Sequence, residues 1–391
     1  MNFIVREPVL DASRQLVGYE LAWQSSRAGE LPGDDDLLEL AAFVGSQLGG
    51  EASGWAQNGS RLFIEATPAL IASDLVATLP QQVVFRLTAA DLAEGDTLNG
   101  AATLREKGYG IALRDVDTVP AGSPLLDAVS YIEGKYEDLQ RHQDAQGRRR
   151  VARHVDDWPQ YDACAAAGMD AFVGRLYLQP RPDQETKGLN PSQLTILQLM
   201  EMVRKNVDVR TLEDVLKRDA TLSYKLFRYI NSAGFGLGVE IQSLRHAVTM
   251  LGYTPLYRWL SLLLATASTQ PHGAILMQTA VVRGRFAELA GQGILPRNEA
   301  ENLFVVGMFS LLDRLLGMPM EEILGKIQLS EPIVQALLAR EGVYGPFLAL
   351  AESLEPDNGD VAALADSLFL NPRQVNEAHL AALAWAHAIR L

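Results

Sequence analysis

The chain has 391 residues, 48% of them hydrophobic, 21% charged and 7% aromatic, which is globular usage and excludes a disordered polymer. Lys plus Arg number 34 against 48 Asp plus Glu, a formal charge of -14 that repels polyanions, so nucleic acid is not an expected partner. The single cysteine, Cys164, excludes an intramolecular disulfide framework and a cysteine-rich zinc site, and it points to a reducing, cytoplasmic setting.

The opening residues Met1–Pro8 meet an acid and a proline before a signal-peptide core forms, and no apolar run approaches the ~20 residues of a membrane span. Short β-type runs then recur with helical pattern between them. In order they are Phe3-Ile4-Val5, Leu16 to Trp23, Leu62-Phe63-Ile64, Val83-Val84-Phe85, Ile111-Ala112-Leu113, Val129 to Ile132, Val151-Ala152 and Ala171-Phe172-Val173. The alternation reads as βα units with a parallel sheet, and eight strands fit a closed barrel better than an open sheet. Pro68 to Leu79, Thr97 to Lys107 and Asp157 to Gly168 read as the helices between them. Arg148-Arg149-Arg150 reads as a solvated loop entering a strand rather than a nucleic-acid patch, because residues 1–188 carry 17 Lys plus Arg against 28 Asp plus Glu.

The polar, proline-containing stretch Gln179 to Gly188 is the expected linker, dividing a first domain at 1–187 from a second at 188–391. The second half reads as all-α, with roughly eight to ten short helices separated at Gly234, Gly236 and Gly238, at Gly252, Pro271, Gly291, Gly293 and Gly317. Thr211, Ser330 and Asn371 are its expected N-caps, the last with Pro372 at N1 and Gln374 closing a capping box. The fold class is therefore α/β plus all-α.

Constellations that carry chemistry are sparse. None of the six histidines, His142, His154, His246, His272, His379 and His387, has metal-ligand spacing, and there is no phosphate loop or nucleophile elbow. Cys164, inside a helix, reads as a small buried hydrophobe. The informative positions are the C-terminal strand ends, where a βα barrel builds its site: Glu20, Glu65, Arg86, Arg114 with Asp115, Glu133, and Arg153 with His154. A two-metal hydrolase needs several carboxylates there, and three arginines oppose cation binding. The expectation is a shut site in which guanidiniums stand where metals would be and pair with Glu20, Glu65 and Asp115.

These residues carry a resemblance. Pro8-Val9-Leu10-Asp11 followed by Leu16-Val17-Gly18-Tyr19-Glu20-Leu21 resembles the opening of EAL domains, the cyclic di-GMP phosphodiesterase barrels, in the shortened form joined to an HDOD domain. The resemblance covers the first half and implies a TIM-like barrel. Glu20 matches the glutamate of the Glu-Ala-Leu signature, while Leu21-Ala22 inverts the rest and Gln24 stands at a substrate-binding arginine. Glu65 takes the place of a metal-binding asparagine, Arg86 of a metal-binding glutamate and Arg114 of the first member of an Asp-Asp pair, of which Asp115 matches the second. Glu133 falls at the catalytic lysine, Arg153 at a further glutamate and Val173 at the glutamine before Gly174.

The second half resembles HDOD domains, relatives of the HD hydrolases that lack the metal-binding His-Asp pair. Leu197 to Val203, Leu212 to Leu222, Lys225 to Ala233, Ile241 to Val248 and Leu251-Gly252-Tyr253 carry it. In Gly307 to Asp313, Ser310-Leu311-Leu312 stands where histidine is expected. The resemblance implies a bacterial signalling protein without a catalytic residue, metal or cofactor, working through protein contacts with a kinase, a response regulator or a cyclic di-GMP enzyme in motility, pili or biofilm control. Arg228 and Arg258, beside aromatic residues, are the candidate interaction positions in that half. A non-hydrolysing cyclic di-GMP receptor is the alternative, and a live phosphodiesterase the remaining one.

Overall fold

The structure is a computed structural model that describes residues 2–24, 32–50, 55, 59–120, 122–142, 147–179, 189–231, 240–267, 273–327, 329–355 and 359–389. Most of the expected linker and the expected breaks at Gly234, Gly236, Gly238 and Pro271 lie outside those residues. The chain divides into two compact units. The first comprises Met1–Arg181, Ser353–Ala365 and Asn371–Leu380, and the second Pro182–Glu352, Asp366–Leu370 and Ala381–Leu391. Two C-terminal segments thus belong with the first unit.

Eight strands form a barrel closed in sequence order: β1 (Phe3–Asp11), β2 (Leu16–Gln24), β3 (Arg61–Glu65), β4 (Val83–Leu87), β5 (Gly110–Leu113), β6 (Tyr131–Gly134), β7 (Arg149–Arg153) and β8 (Ala171–Val173). β2 to β8 pair in parallel, but β1 is antiparallel to both β2 and β8, which corrects the expectation of a wholly parallel sheet. The reason is local. Only Ala12 to Gln15 separate β1 from β2, a turn too short for the crossover that a parallel pair needs.

β1 meets β8 only through Val9, Leu10 and Asp11, so its first half would be a bare edge. The C-terminal segments of the same unit cover it. Arg6 N–H donates to the Leu354 carbonyl at 2.9 Å, and Ile4 N–H to Asn376 Oδ1 at 2.8 Å. Asn376 Nδ2 donates in turn to the Asn2 carbonyl at 2.9 Å. The buried Arg6 guanidinium reaches Glu355 at 3.2 Å and His379 Nε2 at 2.9 Å. His379 Nδ1 lies 3.0 Å from the Ile4 carbonyl, which only accepts, so Nδ1 carries the proton and Nε2 accepts from Arg6. Burial and the Arg6 charge hold the His379 pKa well below its usual value, and the ring stays neutral.

The helices Thr97–Glu106 and Trp158–Ala166 form as expected. Pro68 to Leu79 instead splits into a turn of helix at Pro68–Ile71 and a 3-10 segment at Asp74–Thr78, because the Ser73 hydroxyl accepts from Leu75 N and starts the chain afresh. Cys164 is buried, and burial pushes its thiol up to about 11.

Among the described residues, thirteen helices lie between Pro191 and Ala388, more than the eight to ten expected. Some of the extra breaks fall at left-handed residues that sequence periodicity does not mark: Asn206, Phe369, and Arg340 ending Glu331–Ala339. Asp208, not Thr211, caps Val209–Leu216, while Ser330 sits at its expected cap position. Asn371 and Gln374 form the expected box, with bonds of 3.0 and 3.1 Å. The helices Gly273–Gly291 and Arg297–Phe309 touch at Gly284 and Gly307, where a Cβ on Gly307 would stand 2.4 Å from Gly284 Cα.

Candidate functional site: an arginine–carboxylate layer in the barrel

The barrel interior is built in layers two residues apart along each strand. Val9, Phe63, Val84, Ala112, Tyr131, Val151, Ala171 and Val173 form a buried apolar layer. Two residues further along the parallel strands stand Glu65, Arg86, Arg114, Glu133 and Arg153. On antiparallel β1 the same level is reached two residues earlier, at Glu7, which is paired in register with Glu20 of β2. The C-terminal mouth is thus a ring of charge on an apolar floor.

Four of these side chains close a square. Arg86 donates from Nε to Glu133 at 2.9 and 3.2 Å and from Nη1 to Glu20. Arg153 donates to Glu20 at 2.6 and 3.2 Å and to Glu133 at 3.3 Å. Two guanidiniums and two carboxylates cancel in charge and use one another's hydrogen-bonding capacity, which is what lets Arg86, Glu20 and Glu133 be buried at all. Arg114 bonds Glu65 separately, at the less buried rim.

Burial alone would raise the Glu20 pKa, but Arg86 and Arg153 outweigh it and hold the carboxyl down at about 2. Burial likewise opposes charge on Arg86 and Arg153, and the carboxylates outweigh it and raise both. Glu7 shows the opposite balance. Burial, with the neighbouring Glu20 charge, pushes it up to about 7 against the smaller pull of Arg153.

The structure brings Glu20, Arg86, Glu133 and Arg153 together and sets the Arg114–Glu65 pair beside them. Asp115 does not join. Its backbone is left-handed, at φ 49°, and its carboxylate makes no ion pair among the described residues, so the third acidic partner is Glu133 rather than Asp115. Glu7 is the residue that the strand-end reading misses. A divalent cation would need Glu20 and Glu133 as ligands, yet each already faces two guanidiniums. These residues do not fit a metal pair. Among the described residues no group of three or more His, Cys, Asp and Glu could hold a metal ion.

In the second unit lies Ser310, which the resemblance to HD hydrolases sets in the region where histidine is expected. Its hydroxyl accepts from Arg283 at 3.2 Å, and Arg283 reaches Glu352 at 3.0 Å, which also binds Arg340 at 2.7 and 3.0 Å. Arginine and carboxylate fill this region too. Arg258 lines a cavity of about 900 Å³ with Tyr257, Trp259 and Arg204, but its guanidinium is committed inside the unit. It makes a bidentate pair with Glu288 at 2.6 and 2.8 Å and lies 3.8 Å from the Phe304 ring centroid. Arg228 stacks on the adjacent Tyr229 and is not among the residues lining that cavity.

The chain is thus a closed eight-stranded βα barrel followed by a helical region that contains an HDOD domain, the arrangement that the resemblance to EAL-HDOD proteins implied. Residues 189–316 match the HDOD domain family. The chain is 28% identical over 369 residues to the cyclic di-GMP phosphodiesterase CdgJ of Vibrio cholerae, a match over 90% of this chain and 85% of that protein. It is 25% identical over 409 aligned positions to the uncharacterised protein YuxH of Bacillus subtilis, covering 98% of each. Among solved structures, the phosphodiesterase PaMucR in complex with c-di-GMP is 16% identical with a TM-score of 0.34, matched over 46% of this chain and 92% of that one. No described helix is long and apolar enough to cross a membrane.

Proposed function

We propose that this EAL-HDOD protein transmits a signal through protein contacts and that its barrel does not hydrolyse cyclic di-GMP. The supporting observation is the square of Arg86, Arg153, Glu20 and Glu133. Hydrolysis of a phosphodiester by this fold requires cations that activate water and neutralise the phosphate. Two permanent positive charges lie in that square, each already satisfied by carboxylates, and the surrounding layer, Glu7, Glu65 and Arg114, holds no lysine for proton transfer. The Vibrio cholerae relative is named a phosphodiesterase, so the proposal is a loss of that chemistry in this chain. The HDOD unit then offers the interaction surface, with a kinase, a response regulator or a cyclic di-GMP enzyme as the class of partner.

The test is calorimetric titration of cyclic di-GMP into the full chain with and without Mg²⁺ or Mn²⁺, followed by chromatography for linear product. No product with either metal is the expected result. Metal-dependent linear product overturns the proposal, and tight binding without product makes the barrel a receptor.

A further inference from the structure

The arginine triplet Arg148-Arg149-Arg150 is not a uniform solvated loop. Arg150 turns away from the barrel mouth, donating to the Gly168 and Ala167 carbonyls at 2.8 and 3.1 Å at the C-terminal end of the helix Trp158–Ala166. Arg149 does the opposite. It stands two residues before the interior residue Val151, as Arg61 stands two before the interior residue Phe63, so both occupy inward-facing positions at the N-terminal mouth of the barrel. Arg105 and Arg148 join them around one cavity of about 560 Å³, at the end opposite the Glu20 square.

Four guanidiniums therefore share a cavity whose lining holds one carboxylate, Asp127, within a half of the chain that is strongly acidic. Asp127 is paired to Arg148 at 2.8 Å, and its backbone carbonyl accepts from Arg105. Arg61 and Arg149 make no ion pair among the described residues; Arg149 has the Tyr131 hydroxyl at 3.5 Å and the Tyr131 ring, whose centroid is 5.8 Å from the guanidinium carbon. Gathered like charges raise one another's free energy, and an anion bound between them offsets it. The planar forks of Arg match phosphate oxygens. The cavity gives a nucleobase or an apolar peptide little to rest on, since Tyr109, Val129 and Tyr131 are buried. Its remaining lining is Ser130 and glycine, with Gly108 and Gly147 leaving room.

We propose that the N-terminal mouth of the barrel binds a diphosphate group, free or carried by a nucleotide, between Arg61, Arg105, Arg148 and Arg149. Titration of the full chain with inorganic pyrophosphate, phosphate, sulfate and ADP at matched ionic strength tests it. Pyrophosphate should bind at least tenfold more tightly than phosphate or sulfate. Arg61→Gln and Arg149→Gln should each weaken it tenfold or more, while Arg150→Gln stays within twofold. ADP binding as tightly as pyrophosphate assigns a nucleotide source, and its exclusion assigns the free anion. Equal weak binding of all the anions, or an Arg150→Gln loss as large as that of Arg149→Gln, overturns the proposal in favour of diffuse charge attraction. If the Gln variants unfold, Arg149→Lys, which keeps the charge and removes the fork, decides by the same loss of selectivity for pyrophosphate over sulfate.

Discussion

Replacing Glu7 by Gln should stabilise the protein at neutral pH and do almost nothing in acid. Burial and the Glu20 charge push the Glu7 carboxyl up from 4.5 to about 7, so between these values the native state holds a proton that the unfolded chain has released. Stability from this group is therefore present below about pH 4.5 and lost as pH rises through 7. At 1.36 kcal/mol per pKa unit the loss is about 3 kcal/mol above pH 7, about 1 kcal/mol at pH 5 and only about 0.2 kcal/mol at pH 4. Gln is close in shape to the neutral acid and does not ionise, so the variant escapes the loss. Urea unfolding of both proteins across pH 4 to 8 should show curves that meet in acid and diverge toward neutrality. Glu20 titrates in both and cancels in the difference. A constant gap at every pH, or a variant weaker at pH 8, would refute the assignment of Glu7 to the charged interior layer.

Removing one member of the square should cost far more than its surface counterparts. Glu133→Ala leaves Arg86 and Arg153 with Glu20 alone, an expected loss of about 3–5 kcal/mol in urea unfolding, whereas Arg373→Ala, an exposed helical pair with Glu377, should change stability by under about 1 kcal/mol. Arg258→Ala should behave as a folding defect, lowering the unfolding midpoint by leaving the buried Glu288 to Arg285 alone and opening a gap beside Phe304, and a normally stable variant that only loses a partner would contradict this. Gly307→Ala forces a Cβ against Gly284 and should cost about 1–3 kcal/mol in the same assay. Asn376→Ala leaves the Ile4 N–H without its acceptor, an expected loss of about 1–3 kcal/mol, with faster hydrogen exchange confined to the first half of β1.

All eight strands can be read from their apolar runs, and the C-terminal strand ends locate six of the seven charged residues of the interior layer. The seventh, Glu7, escapes because β1 runs the other way, which puts its site residue before the apolar Val9 rather than after it. An inward period of two read from Val9 toward the N-terminus would have found it. The choice of Glu133 over Asp115 was not legible, since it depends on a single left-handed backbone residue. Nor was the return of Asn376 and His379 to β1, because hydrogen bonds across more than 370 residues leave no local pattern. Neighbours in sequence also separated in space, Arg149 facing the barrel mouth and Arg150 a helix end.

The covering of β1 by Leu354, Glu355, Asn376 and His379 governs when this protein can finish folding. Arg6 waits for Glu355, 349 residues later, and Ile4 for Asn376, 372 later. At the ribosome's ~5–20 residues per second, the first strand stays half uncovered for roughly 20–70 s while everything between is made. Folding from the N-terminus domain by domain is therefore not open to this chain: the barrel is begun first and completed last. A stop codon or a nick late in the C-terminal half is consequently a lesion of the barrel too, and a ribosome that stalls there holds a strand edge ready to pair with another chain.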